Sequence, residues 1–297
     1  MTVYSGLSGR LDRCMAETLS WPREQVKSAI KAGQILVNGQ PGKPALQLNE
    51  TDQISVLAEA SIPVTRPRAV LEKNNLYGIA LLYEDRHILV LRKPVGMVVH
   101  PGIGTDGVTL TEVLSGYTTL VGGEAGREGV VHRLDKDTAG IMVLAKSEPA
   151  YQALVAQFQN REVEKHYYAM VRGNIRFDTR SLSYPIGRSL SDPRRQAVFP
   201  DSNERGKPAE SIVTVLKRFT TKTLVSIRPI TGRMHQIRVH MAHIGHPVYG
   251  DPLYGPRKRS SVGQQLLAYR LVFTHPVTGV RLGFELPLSV FETMIQG

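Results

Sequence analysis

A single cysteine, Cys14, stands among 297 residues, so neither an internal disulfide nor a cysteine-based zinc or iron site can form. A reducing, cytoplasmic setting is the expectation. Long hydrophobic runs are missing too. Stretches such as Ile79 to Tyr83 and Val95 to Val99 fall far short of the roughly 18 residues a membrane span requires. The first residues lack a charged start followed by an apolar stretch, so neither export nor insertion is expected. No internal repeat is visible. The segment Gly122-Gly-Glu-Ala-Gly-Arg-Glu-Gly129 lacks the GxxxxGK[ST] spacing of a phosphate-cradling loop and reads as a mobile loop, so no nucleotide cofactor is expected. With 41% hydrophobic and 21% charged residues, the composition is still that of a folded chain of one large or two unequal domains.

Acidic residues are scarce in one region only. The chain carries 37 Lys plus Arg against 26 Asp plus Glu, a formal net charge of +11. Residues 1–60 hold six basic and six acidic side chains, residues 61–171 twelve of each, and residues 260–297 two of each. Residues 172–259 hold seventeen basic and six acidic side chains, so the whole excess lies there. An Arg-rich excess of that length favours a polyanionic partner, although charge alone does not separate RNA from DNA, acidic protein or anionic lipid.

The pattern along the chain is that of an α+β protein. Leu11, Met15 and Leu19 recur at helical spacing; Ser20 and Pro22 then open a second helix bearing Val26 and Ile30, which Gly33 ends. Ile35 to Val37, the turn signal Asn38-Gly39 and Ile54 to Leu57 follow as a small sheet. Arg10, Arg13, Arg23, Lys27 and Lys31 lie on or near the two helices and offer one basic face. Residues 61–78, with Pro63 and Pro67, read as a linker to a second domain over 79–297. There the expected elements are strands at Ile88 to Leu91, Met97 to Val99 and Ile141 to Ala145, and a helix opened by Ser147 and Pro149. Val163, Lys165, Tyr167, Ala169 and Val171 share one strand face. Hairpins over 212–230 and 267–286 flank a helix carrying Ile237, Met241 and Ile244. The second domain is therefore a mixed, largely antiparallel sheet with flanking helices.

Two dense polar segments carry the candidate chemistry. In Gly129-Val-Val-His-Arg-Leu-Asp-Lys-Asp-Thr-Ala-Gly140, Asp135 stands between Arg133 and Lys136, and an oriented carboxylate serves as nucleophile, general base or metal ligand. A turn-capping Asp is the competing reading, and Asp137 is the better candidate for that task. In the second segment, Arg233 and Arg238 each present a planar fork able to pair with Asp135 or with an RNA phosphate. Histidines at 235, 240, 243 and 246 raise a metal-dependent hydrolase, but neither HExxH spacing nor a Cys partner accompanies them, and no metal site is assigned.

His132-Arg-Leu-Asp-Lys-Asp-Thr-Ala-Gly140, Lys165-His-Tyr-Tyr-Ala169 and Thr231-Gly-Arg-Met-His-Gln-Ile-Arg-Val-His240 together resemble the RluA/RluD-type RNA pseudouridine synthase family. Lys93-Pro-Val-Gly-Met-Val-Val-His-Pro101 and Gly245-His-Pro-Val-Tyr-Gly-Asp-Pro-Leu-Tyr254 extend the likeness to nearly the full chain. Residues 1–60 resemble the S-four-type RNA-binding domain often joined to such enzymes. Ala139 departs from the usual Ser or Thr, and Met234 from the usual Thr. The resemblance implies cofactor-free isomerisation of uridine in structured RNA, most of all large-subunit ribosomal RNA. Asp135 then matches the essential aspartate, Tyr167 the active-site tyrosine, Arg238 the basic partner of the aspartate, and Arg133 the arginine that helps displace the target nucleotide. His132 and Arg233 join Arg133 as substrate contacts. Arg194, Arg195, Lys207 and Arg257 join the first-domain cations as RNA contacts. A monomer is expected, and a non-catalytic ribosome-assembly factor of the same fold is the alternative.

Overall fold

The computed structural model describes residues 2–19, 21, 23–57, 60–63, 77–102, 105–199, 205–256 and 263–296. Ser20, Pro22, Arg257 and residues 64–76 of the expected linker lie outside the described residues.

The first unit runs β1 (Thr2–Tyr4), β2 (Gly9–Arg10), α1 (Leu11–Leu19), α2 (Arg23–Lys31), β3 (Ile35–Val37), β4 (Gln40–Pro41), β5 (Gln47–Leu48) and β6 (Ile54–Val56). Leu11, Met15 and Leu19 are buried along α1, and Val26 and Ile30 along α2, as a 3.6-residue period requires. Asn38 and Gly39, with φ of 51° and 77°, form the tight turn joining β3 to β4. The resulting sheet has the order β1-β6-β3-β4.

The second unit carries β7 (Ala60–Pro63), β8 (Ala80–Glu84), β9 (Ile88–Lys93), α3 (Leu110–Ser115), β10 (Ala139–Ala145), α4 (Glu148–Gln159) and β11 (Glu164–Arg172). It continues with β12 (Thr179–Ser183), β13 (Ile186–Arg188), β14 (Gln196–Val198), β15 (Glu210–Arg218), β16 (Lys222–Pro229), α5 (Gln236–His243), β17 (Leu266–Thr274), β18 (Arg281–Glu285) and α6 (Leu288–Gln296). Among the described residues these make a ten-stranded sheet with the main order β12-β15-β16-β11-β17-β10-β9-β8. Its ladders are antiparallel except β10 with β17 and β7 with β18. The chain is thus α+β, a small helix-and-sheet unit followed by a mixed, largely antiparallel sheet with helices.

Three local readings change. Residues 61–63, assigned to the linker for their proline, continue β7 alongside β18. Pro63 fits because β7 pairs on one side only, and an edge strand tolerates a missing N–H. Met97 to Val99 are irregular chain after a turn at Val95–Gly96 rather than a strand: Gly96 takes a φ of +81°, and Met97 and Val99 are apolar because they fill a core cluster. The 122–129 loop closes on itself through Gly129 N–H to Gly122 C=O at 2.7 Å and docks on β10 through Ala145 N–H to Gly129 C=O at 2.9 Å. A capping box at Thr109 and Glu112 starts α3, a signal present in the sequence but not used there.

The sheet centre sets up the cleft. β17 lies between β11 and β10, yet pairs with β10 only at Ala139–Leu267 and Gly140–Ala268 before taking β18 as its partner. The turn ahead of β10 therefore opens beside β11, and α5 follows β16 onto the same side.

Candidate active site

Asp135 sits in the turn just before β10, which is closed by Thr138 N–H donating to the Asp135 carbonyl at 3.1 Å. The main chain holds this turn; among the described residues Asp137 makes no side-chain hydrogen bond, so the structural task expected of it falls to the backbone. Arg238, in the first turn of α5, donates from Nη1 to Asp135 Oδ2 at 2.9 Å. The other edge of its guanidinium meets Asp251, with Nε to Oδ2 at 2.7 Å and Nη2 to Oδ1 at 3.0 Å. Asp251 Oδ1 also accepts the N–H groups of Leu253 and Tyr254 at 2.9 and 3.0 Å. Arg238 is thereby clamped between two carboxylates, one buried and one facing the cleft.

Electrostatics follow from that geometry. Burial opposes the charge on Arg238, but Asp251 and then Asp135 outweigh it and raise the guanidinium pKa above its ordinary value. Burial likewise works against the Asp251 carboxylate, yet Arg238 and the two N–H donors hold it below the ordinary range. Both charges persist, and Asp135 keeps a fixed cationic partner in a partly dry cleft.

The helix start is built to aim these groups. Gln236 is buried and accepts from Thr231 Oγ1 at 2.6 Å and Arg233 N at 3.0 Å, while donating to Glu210 C=O and Ser211 Oγ. That knot places His235 in the left-handed region, with φ of 56°, as the first residue of the cap. Gln196 N–H donates to Tyr254 Oη at 2.8 Å, and the same hydroxyl is hydrogen-bonded to His235 Nδ1, also at 2.8 Å. His235 Nε2 faces Asp135 Oδ2 at 3.8 Å. Burial, helped by Arg238 and Arg133, lowers the His235 pKa against the pull of Asp135 and Asp251.

A cavity of about 480 Å³ joins these parts, within the usual range for small-ligand sites. Asp135, Tyr167, Arg238, Arg133, His132 and Arg233 all line it. Tyr167 on β11 contributes a ring wall; burial and the Asp135 charge raise its pKa, so its hydroxyl is protonated at neutral pH and acts as a donor. His132 stacks on Phe158 with centroids 4.5 Å apart and accepts Val143 N–H at Nε2. Burial, with the nearby Lys165 charge, lowers its pKa to about 3, so it enters the wall as a neutral ring. Arg133 is exposed and reaches His100 Nε2 at 3.4 Å. Of the two candidate arginines, Arg238 pairs with Asp135, while Arg233 Nε donates to the Pro208 carbonyl.

Other expected contacts are scattered. Arg10 and Arg23 converge on the buried Asp12 at 3.1 and 2.9 Å, and Arg13 pairs with Glu17 at 3.4 Å. Lys31 is exposed at the end of α2. Arg194 forks onto Asp192, Arg195 lies over the Tyr254 ring at 5.2 Å, and Lys207 is exposed beside β13. The histidines engage separately: His240 bonds Ser211 Oγ and Tyr184 C=O, and His246 bonds Arg172 C=O. Sequence reading missed Asp251, Tyr254 and His235 as site groups. Only the density of polar residues in 231–254 hinted at them.

The cleft defines an enzyme that offers an anionic side chain and an aromatic face to a base-sized ligand carried on a polyanion. The family model for RNA pseudouridylate synthase matches residues 87–243, and the S4 domain model matches residues 9–54. The chain belongs to the RNA pseudouridylate synthase family: it is an RNA pseudouridine synthase, an isomerase, preceded by an S4 domain. It is 41% identical over 285 residues to an uncharacterized RNA pseudouridine synthase, YlyB, of Bacillus subtilis, covering 95% of this chain and 91% of that one. It is 36% identical over 299 residues to ribosomal large subunit pseudouridine synthase D of Escherichia coli K12, covering 95% and 88%. Among solved structures, human RNA Pseudouridylate Synthase Domain Containing 1 is similar at a TM-score of 0.59 and 26% identity, over 71% of this chain and 84% of that one.

Proposed function

We propose that this synthase isomerises uridines in large-subunit ribosomal RNA, with Asp135, Tyr167 and Arg238 as its catalytic residues. The observation carrying the reading is the Arg238–Asp135 contact of 2.9 Å inside a cavity walled by Tyr167. The RNA assignment draws support from the relatives named ribosomal large subunit pseudouridine synthase D, 36% to 38% identical over 94% to 95% of this chain. The setting of such a reaction is the cytoplasm, with the chain acting as a monomer.

The target uridine is first extruded from its stem or stacked loop, at about a few kcal/mol. Arg133, exposed at the cleft, fills the place the base leaves. Tyr167 then offers its ring to the uracil, and Arg238 holds the Asp135 carboxylate in place through their 2.9 Å contact. The bond from ribose C1′ to N1 breaks, the ring turns within the cavity, C5 joins C1′ and gives up its proton, and N1 takes one up. No atom is gained overall. Residues 1–60 add RNA grip through Arg10, Arg13, Arg23, Lys27 and Lys31, ahead of the catalytic unit over 79–297. His132 and Arg233 shape the wall, and Arg194, Arg195, Lys207 and Arg257 meet flanking phosphates.

Asp135→Asn is expected to retain RNA binding and lose pseudouridine formation, read by mapping pseudouridine at nucleotide resolution in RNA from cells carrying each form. Full modification by that variant would sink the residue assignment. A map with every ribosomal site intact in cells lacking the gene would sink the ribosomal one.

A further inference from the structure

Lys165 is a cation in the cavity without a counter-ion. It lies two residues before Tyr167 on β11, and both residues line the cavity. Alternation puts positions i and i+2 on one strand face, roughly 7 Å apart. Among the described residues its ammonium has no hydrogen-bond or ion-pair partner. Around it stand the Phe158 ring, with Nζ 5.8 Å from the centroid, and the neutral ring of His132. Gly232 flanks the ammonium; a methyl group there would stand 3.6 Å from Nζ, at ordinary contact distance. Arg238, by contrast, holds two carboxylates. Burial draws the Lys165 pKa below its ordinary value, and no carboxylate offsets it. A partly buried cation with no carboxylate beside it among the described residues is placed to receive the charge of a ligand.

Two anions reach a cavity that works on RNA: a backbone phosphate, and the uracil ring once it parts from the ribose. Phosphates stay hydrated and meet cations at the rim, where Arg133 and Arg161 line the same cavity and are exposed. The inner position, on the face shared with Tyr167, belongs to the base. When the C1′–N1 bond breaks, its electron pair leaves with N1, and one negative charge spreads over N1, O2 and O4. The electron-deficient C1′ is matched by the Asp135 carboxylate. A ring electron pair then joins C5 to C1′, the C5 proton passes to a base, and N1 takes up a proton, leaving a neutral isomer with every other atom retained.

We propose that Lys165 is a further catalytic residue, donating a hydrogen bond to a uracil carbonyl oxygen and stabilising the uracil anion released by glycosidic cleavage. This rests on the placement of uracil against Tyr167 and Asp135 given above. The test uses large-subunit ribosomal RNA transcribed in vitro with uridine tritiated at C5, so that tritium release counts turnovers.

Lys165→Met is expected to slow single-turnover release about a hundredfold, the scale of losing one donor to a developing oxyanion. RNA affinity by filter binding should change by less than about threefold. Lys165→Arg should recover part of the rate, and Lys165→Gln gives the same split where Met disturbs folding. A transcript made with 5-fluorouridine supplies a more stable departing ring. On it the Lys165→Met deficit, read as loss of 5-fluorouridine in nuclease digests, should shrink to about tenfold. Equal deficits on the two transcripts would overturn the proposal. So would lost affinity with an unchanged bound rate, which would make Lys165 a phosphate contact. An inactive Asp135→Asn beside a fully active Lys165→Met removes only the Lys165 role. An active Asp135→Asn, or a wild-type protein that releases no tritium, removes the reading beneath it.

Discussion

Lys93 has no exposed surface, yet its ammonium donates to the carbonyls of Pro94, Met97 and Lys136 at 2.9, 2.8 and 3.0 Å. It thus pins the end of β9 to the turn that carries Asp135. Burial lowers its pKa from 10.5 to about 8, with Asp137 and Asp135 pulling the other way. Between those pH values the unfolded chain holds the proton more tightly than the folded one, so the penalty of burying the charge is full below pH 8 and relieved as pH rises. In urea titrations the stability of the wild type relative to Lys93→Met should improve by about 3 kcal/mol from pH 8 to pH 10.5. A difference that stays flat with pH would mean that the ammonium is well solvated. Nothing in the spelling Lys93-Pro94 foretells this burial, because three carbonyls from two chain segments supply its solvation.

At the scale of elements, the contact between β10 and β17 decides the geometry of the catalytic turn. Gly140 has a φ of +133°, and a methyl group there would stand 2.3 Å from the Ala268 carbonyl oxygen and 2.5 Å from Ala268 Cβ. Both the backbone conformation and the neighbouring strand require glycine. Gly140→Ala should lower the unfolding free energy by about 2 kcal/mol or more and reduce tritium release, because β10 must move away from β17 and take Asp135 with it. Unchanged stability and rate would show that the sheet centre yields without cost. The helices α1, α2, α4 and α5 were legible from periodicity and punctuation. The short β13 and β14 were not, since three-residue strands carry too little pattern. Yet Gln196 of β14 donates the N–H that orients Tyr254 and, through it, His235.

Over the whole molecule, the net charge of +11 resides in residues 172–259, but the folded chain does not present all of it equally. Arg194 spends its fork on Asp192, and Arg218 bonds Asp178 and two carbonyls. Arg238 is locked inside the site. RNA affinity should fall with salt along a log-log line whose slope is roughly 0.7 to 0.9 per phosphate contacted. Neutralising Arg195 and Lys207 should flatten that line by about one such unit each, whereas Arg194→Gln should flatten it less. Equal effects from all three in filter binding across a salt series would mean that Asp192 releases Arg194 to the RNA.

Sequence by itself determined the two-part α+β plan, the basic segment and the motifs on which the family resemblance rests. Those depend on local periodicity, on turn residues and on the order of residue types, all of which are written along the chain. Asp135, Tyr167 and Arg238 were legible as candidates for the same reason. The resemblance named Arg238 as the partner of Asp135; only the tertiary structure supplies the contact itself, across 103 positions of sequence, and turns Arg233 to the Pro208 carbonyl. It also supplied Asp251 as the second anchor and placed Lys165 in the cavity with no carboxylate partner among the described residues. Pairing of charges is set by distance and desolvation, and both come into being when strands far apart in sequence close around one cleft.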